Sequence, residues 1–146
     1  MTENTPKIDL SLILLGAGPS KKDGVHVALS EYQEDKKIID WLLDSFSQYV
    51  YDLQFVIGEA SEELIKSYPT LSYVTNSNWK NTGASGSLFK AKLPLEGRLI
   101  VSYSDVLYRK SLVDDLFSSS SDITVVIDTL WKSRYHGRTN AALKEC

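Results

Sequence analysis

Cysteine is nearly absent from this chain. Cys146 is the single one, so no disulfide can close within it. With no CxxC pair and only two histidines, His26 and His136, the ligand set of a structural zinc site is missing as well. No apolar run approaches the roughly 20 residues a helix needs to cross a bilayer. The polar start MTENTPK lacks the basic-then-apolar layout of a secretory signal. Positive charge is not in excess either: 16 Lys and Arg stand against 19 Asp and Glu, a net charge of −3. That balance excludes the broad basic face a nucleic-acid groove uses to displace counterions, but leaves room for local lysines to hold one small phosphorylated ligand. Internal repeats and low-complexity tracts are absent. What remains is the expectation of a single globular domain over residues 1–146, cytoplasmic, with no membrane and no nucleic-acid partner. Its 42% hydrophobic and 24% charged residues are ordinary for that class.

The residues that are present alternate in period. Residues 8–15, IDLSLILL, become continuously apolar and stop at a stretch rich in Gly and Lys, 16–24. Such a run reads as a strand covered on both faces. Residues 36–46 place Ile38, Ile39, Leu42, Leu43 and Phe46 at helical spacing, with Asp40 and Asp44 opposite. A second strand is expected over 52–57, and a helix over 61–68 that opens on Ser and Glu and ends before Pro69. A third strand follows over 71–75. Residues 76–87 read as a polar, Gly-rich loop leading into a short helix at 88–93. A fourth strand over 98–103, a helix over 112–117 and a fifth strand over 123–127, ITVVI, complete the order. Short connections and right-handed crossovers make this a Rossmann-like three-layer α/β/α fold around a mostly parallel sheet.

Ligands of such sheets bind beyond the carboxyl ends of the strands, and three segments there are chemically suggestive. The first, GAGPSKK, offers bare backbone at Gly16, Ala17 and Gly18, then Ser20, Lys21 and Lys22. Glycines let N–H groups approach phosphate oxygens and lysine adds a charged donor, although a plain βα turn could carry the same residues. Neither GxxxxGK[ST] nor GxGxxG can be written there. The second, SYSDVLY, puts Asp105 at the end of the fourth strand. A carboxylate there can hold Mg²⁺ against phosphate oxygens, or can cap the next turn. The third contains Gly83, Ala84, Ser85 and Ser87, whose backbone and hydroxyls can meet a base edge or simply cap a helix. His26 and His136 are expected at the surface, and no Ser-His-Asp arrangement emerges.

Taken together, these segments resemble the amino-terminal half of the nucleotidyltransferases of the sugar-phosphate and phosphocholine type. That family opens with a strand and an LAAGxGSR-type loop, to which ILLGAGPSKK aligns without gaps, with Ser20 at the serine and Lys21 at the basic position. NSNWKNTGASGSLFKA is similar to the segment before the family's SLxxA helix, and SYSDVLY supplies Asp105 where the family has its metal-binding Asp. The wording SYSDVLYRKSLVDDLFSSSSDITVVID most resembles cytidylyltransferases acting on phosphocholine or phosphonates.

The resemblance implies a nucleotidyltransferase that moves a nucleoside monophosphate, with CTP favoured as donor, onto a small phosphorylated or phosphonate acceptor and releases pyrophosphate. It implies Lys21 and Asp105 as the catalytic pair, Asp105 as the Mg²⁺ ligand, and Leu15, Gly16, Ala17, Gly18, Ser20, Lys22, Gly83, Ala84, Ser85 and Ser87 around the nucleotide. Departures are visible. Lys21 replaces the family's Arg, and VHVALSEYQED lacks its Pro-Lys pair. The second metal carboxylate belongs to a downstream half, so a truncated form of the fold is expected. The alternative is a non-catalytic nucleotide-binding or partner-binding domain, and the uncovered sheet edge of a half-domain favours pairing with a second copy.

Overall fold

The computed structural model describes residues 10–19, 23–33, 35–49, 51–58 and 61–134. The chain divides into two compact units, Met1–Val113 and Asp114–Cys146. In chain order the elements are β1 (Leu10–Gly16), a 3-10 turn (Val27–Leu29), β2 (Glu31–Gln33), β3 (Lys36–Lys37), α1 (Ile38–Ser45), β4 (Asp52–Ile57), α2 (Glu62–Ser67), β5 (Ser72–Thr75), α3 (Trp79–Leu88), β6 (Arg98–Tyr103), α4 (Lys110–Ser118) and α5 (Trp131–Arg134).

Four of the strands form one sheet in the order β5-β4-β1-β6, and every pairing in it is parallel. The continuous apolar runs of β1 and β4 explain why these two lie at its centre. Leu12, Ile13 and Leu14 are buried, as are Leu53, Phe55, Val56 and Ile57 in the neighbouring strand. Successive strand residues point to opposite faces, so burial of every one requires cover on both sides. On one face Ile13 and Val56 pack with Ala91, and with Leu15, Ala17, Val74 and Leu88 around them. On the other, Phe55 stacks on Tyr73 of β5 and meets His26 edge-on. This is the Rossmann-like α/β arrangement.

One polar residue interrupts β4. Gln54 is buried, and its amide donates to the Lys92 carbonyl and accepts from the Lys92 N–H, both at 2.8 Å. A side-chain amide matches a peptide group donor for acceptor, so burial leaves neither side unpaired.

Three expectations are corrected. The helix expected over 36–46 begins at Ile38, because Lys36 and Lys37 are taken into a small antiparallel hairpin with β2. Asp35 turns that hairpin at φ +60°, and the Asp40 carboxylate accepts from the Lys37 N–H at 3.0 Å to start the helix. The loop expected over 76–87 is instead α3, and no helix occupies 88–93 beyond its last residue, Leu88. Gly83, at φ +59° and ψ −161°, breaks α3 into two short turns of helix. That break, with the Gly, Ser and Asn content, hid its periodicity. Finally, residues 123–127 belong to neither sheet: Ile123, Val125 and Ile127 are exposed. A strand exists only through its ladder, and this run has none among the described residues. In this second unit the Asp128 carboxylate accepts from the Leu130 N–H at 2.9 Å just ahead of α5.

Phe55→Ala should cost about 3–5 kcal/mol, since Phe55 is fully buried between Tyr73, His26 and Gly16. Urea unfolding checks this as a lower midpoint with an unchanged slope.

Candidate functional site

The chain moves outward from β1 to β4 and β5 on one side, then returns to place β6 on the other side of β1. Strand order therefore reverses at β1. The crevice of such a sheet opens between the loops that leave the two strands at the reversal, here β1 and β6.

The β1 loop starts at a glycine the packing demands. A Cβ at Gly16 would overlap the Phe55 ring and stand 2.8 Å from Ser104 Oγ and 3.1 Å from His26 Cε1. Gly18 is different, since a Cβ there would meet nothing within 4 Å. Its lack of a side chain serves no packing need and leaves exposed backbone at the crevice. Ser20, Lys21 and Lys22 lie outside the described residues, and so does His136.

The β6 loop is fastened at both ends. The Ser104 N–H donates to the Leu15 carbonyl at 3.0 Å, one rung beyond the last residue of β6, and Ser104 is buried. The Tyr108 carbonyl accepts from Trp41 Nε1 at 3.1 Å and from Ser45 Oγ at 3.4 Å, both on α1. Asp105 sits between these anchors with its carboxylate exposed. Pairing of Leu15 with Tyr103, continued by the Ser104 rung, puts the loop that carries Asp105 next to the loop that leaves β1.

His26 is buried, contrary to the surface position expected for it. Its Nε2–H donates to the Gly16 carbonyl at 2.9 Å while Nδ1 accepts from the Ala28 N–H at 3.2 Å. Those two bonds select the neutral Nε2–H tautomer. Burial holds its pKa below the ordinary 6.5, against opposing contributions from the Gly16 carbonyl and the Asp105 charge. The imidazole is thus a strut under the β1 loop, close enough to Asp105 to feel its charge.

On the other side of β1, α3 is organised by Asn76, a fully buried residue that was no candidate in the sequence. Its amide donates to Thr82 Oγ1 and to Ser87 Oγ, each at 3.0 Å, and its carbonyl accepts from the Asn78 N–H at 3.1 Å. Ser87 is buried in this network and donates onward to the Gly83 carbonyl at 3.1 Å. Ser85 and Gly83 remain exposed, and Ala84 is half-buried. Trp79, the first residue of α3, lies against Gly58 at the end of β4: a Cβ on Gly58 would stand 2.9 Å from its Cδ1.

Among the described residues no group of three or more His, Cys, Asp and Glu side chains converges to hold a metal. The donor set at the crevice is one exposed carboxylate, that of Asp105. That set fits Mg²⁺, which binds through one or two carboxylates and takes its remaining oxygens from phosphates and water. Among the described residues no helix is long and apolar enough to cross a membrane.

A folded-state pKa lowered by burial makes the neutral imidazole a stabilising form. That stability is fully present above the unfolded value of about 6.5 and is lost as pH falls toward the folded pKa. Between pH 7 and pH 5 the urea midpoint of the native chain should therefore fall more steeply than that of His26→Gln, whose amide can still donate to the Gly16 carbonyl. Parallel slopes would refute the buried neutral imidazole.

No family model matches the chain. Among curated proteins it is similar to the CTP:phosphoglutamine cytidylyltransferase of Campylobacter jejuni, with 25% identity over 138 residues, covering 84% of this chain and 54% of that protein. The chain spans about half the length of the curated relative it matches. Over most of its length, then, it is similar to a cytidylyltransferase-type nucleotidyltransferase.

Proposed function

We propose that this chain provides the nucleotide-binding face of a cytidylyltransferase. It binds CTP with Mg²⁺ and presents the α-phosphorus to a phosphate or phosphonate oxygen of a small acceptor. In the reaction the acceptor oxygen bonds to the α-phosphorus, the bond from that phosphorus to the β-phosphate oxygen breaks, and pyrophosphate leaves. The observation that carries the reading is the reversal of strand order at β1, which makes the loops that leave β1 and β6, the one carrying Gly16–Gly18 and the other Asp105, neighbours at one edge of the sheet. Similarity to a relative that uses CTP points the same way.

Each residue has a defined task in this reading. Leu15, Gly16, Ala17 and Gly18 line the triphosphate with backbone, and the open space at Gly18 lets phosphate oxygens come close. Ser20 adds a hydroxyl to that lining. Lys21, with Lys22, offsets triphosphate charge. Asp105 would hold a magnesium ion, which would supply charge neutralisation at the triphosphate. His26 and Ser104 hold the two loops at their separation. Gly83, Ala84, Ser85 and Ser87 shape the wall on the α3 side, with Ser87 acting from inside through Asn76. Catalysis of this kind is positioning and electrostatics, with no covalent intermediate on the protein.

Calorimetric titration of CTP, UTP, ATP and GTP, with Mg²⁺ and with EDTA, tests the proposal. CTP should bind best and only with Mg²⁺. Asp105→Asn should weaken Mg²⁺-dependent binding at least about tenfold, or ~1.4 kcal/mol. Its unfolding free energy should stay within about 0.5 kcal/mol of native, because Asp105 is exposed. Equal affinity for all four nucleotides, or an unchanged Mg²⁺ dependence in Asp105→Asn, would overturn it.

A further inference from the structure

The peptide that follows Gly16 is held from outside its own strand. Where a Gly16 Cβ would stand, the Phe55 ring, Ser104 Oγ and His26 Cε1 close in. They come from β4, from the end of β6 and from the residue ahead of the 3-10 turn. Of the three, His26 also takes hold of the backbone: its Nε2–H donates to the Gly16 carbonyl at 2.9 Å in a buried bond. The ring is fixed in turn. Nδ1 accepts from the Ala28 N–H at 3.2 Å, and the imidazole packs edge-on against Phe55 with centroids 5.7 Å apart.

That bond decides which end of a peptide group meets a ligand. In a planar trans peptide the C=O and N–H point in opposite directions. Glycine has no Cβ to restrict its backbone, so the Gly16–Ala17 peptide could turn either end outward at the carboxyl edge of the sheet. With the Gly16 carbonyl drawn onto the buried imidazole, the Ala17 N–H points away from that ring. For an anion the difference is large. An N–H attracts a phosphate oxygen through a charge-assisted bond, whereas a carbonyl oxygen in the same place repels it. His26 stands in the stretch where the Pro-Lys pair of the nucleotidyltransferases is missing.

We propose that His26 is a positioning residue for the triphosphate: it keeps the Gly16 carbonyl inside the fold and so turns the Ala17 N–H toward a phosphate oxygen. The inference rests on the nucleotide reading above and adds the group that sets the polarity of the β1 loop. Buried as it is, the imidazole meets no phosphate itself. It acts through one peptide, so another side chain that fills the space and donates to the same carbonyl serves in its place.

Two measurements on the whole chain test this. In the native protein labelled with ¹⁵N-alanine, the Ala17 amide is identified as the resonance lost in Ala17→Gly. It should move downfield on saturation with CTP and Mg²⁺, and stay in place with cytidine, which lacks phosphates. The Ala28 amide, bonded to Nδ1, should stay in place with both. In parallel, CTP affinity is measured for His26→Leu, which fills the site without a donor, and for His26→Gln, which keeps one. His26→Leu should weaken CTP about tenfold, and His26→Gln should recover affinity to within about threefold of native. An Ala17 amide unmoved by saturating CTP, or His26→Leu binding CTP as tightly as the native chain, overturns the role of His26 while leaving the nucleotide reading intact. Equal losses in the two variants also overturn it, as the sign of a packing residue. If the native chain binds no CTP, the nucleotide reading falls first and this inference with it.

Discussion

The ladder between β1 and β6 sets everything at the candidate site. Parallel strands cannot be joined by a tight turn, so these two, far apart in sequence, meet only because the sheet buries both faces of β1. Their register pairs Leu15 with Tyr103, and one further rung, from the Ser104 N–H to the Leu15 carbonyl, carries it past the end of the strand. That rung decides that Asp105 falls in the loop past the end of β6 rather than along the strand. A slip by one residue would turn Ser104 outward, remove the hydroxyl that faces Gly16, and send the carboxylate to the opposite face.

Around this ladder the supporting contacts are nonlocal and economical. One imidazole braces the Gly16 carbonyl and the Ala28 amide. One peptide carbonyl, that of Tyr108, ties the β6 loop to Trp41 and Ser45 of α1. One buried amide, that of Asn76, joins the end of β5 to both segments of the kinked α3. These are bonds between groups in fixed backbone frames, so the loops at the carboxyl edge are held by the sheet and not by their own sequence.

This division explains what could be read from the residues alone. β4 over 52–57 and β6 over 98–103 were legible to the residue: β4 because a buried parallel strand writes itself as an apolar run, and β6, though exposed or half-buried, because it is a run rich in apolar, β-branched and aromatic residues. The GAG loop and Asp105 were legible as strand-end loops, and the sheet sets the two strands that carry them side by side. The 76–87 stretch was not legible as helix, since Gly83 and Gly86 argue for loop, and the stabilising contacts come from Asn76, a residue outside the helix. His26 carried no local mark of burial: its partner Gly16 lies in another element, and only the fold puts an imidazole under that carbonyl. ITVVI shows the converse error, a strand-like composition with no ladder to join among the described residues.

The amide of Gln54 has a consequence for how the chain finds its structure. Beyond Asp52, β4 is otherwise a run of apolar side chains, and sliding it two positions against its neighbours would keep those hydrophobes on their original faces. Gln54 is the single polar tooth in that run, and its mate is one peptide group, that of Lys92. Any displaced alignment strands a primary amide among hydrocarbons and leaves that peptide group without it. The residue thus works as a proofreading key, lowering the native alignment relative to its near-copies and so securing the edge on which the glycine loop and Asp105 must coincide.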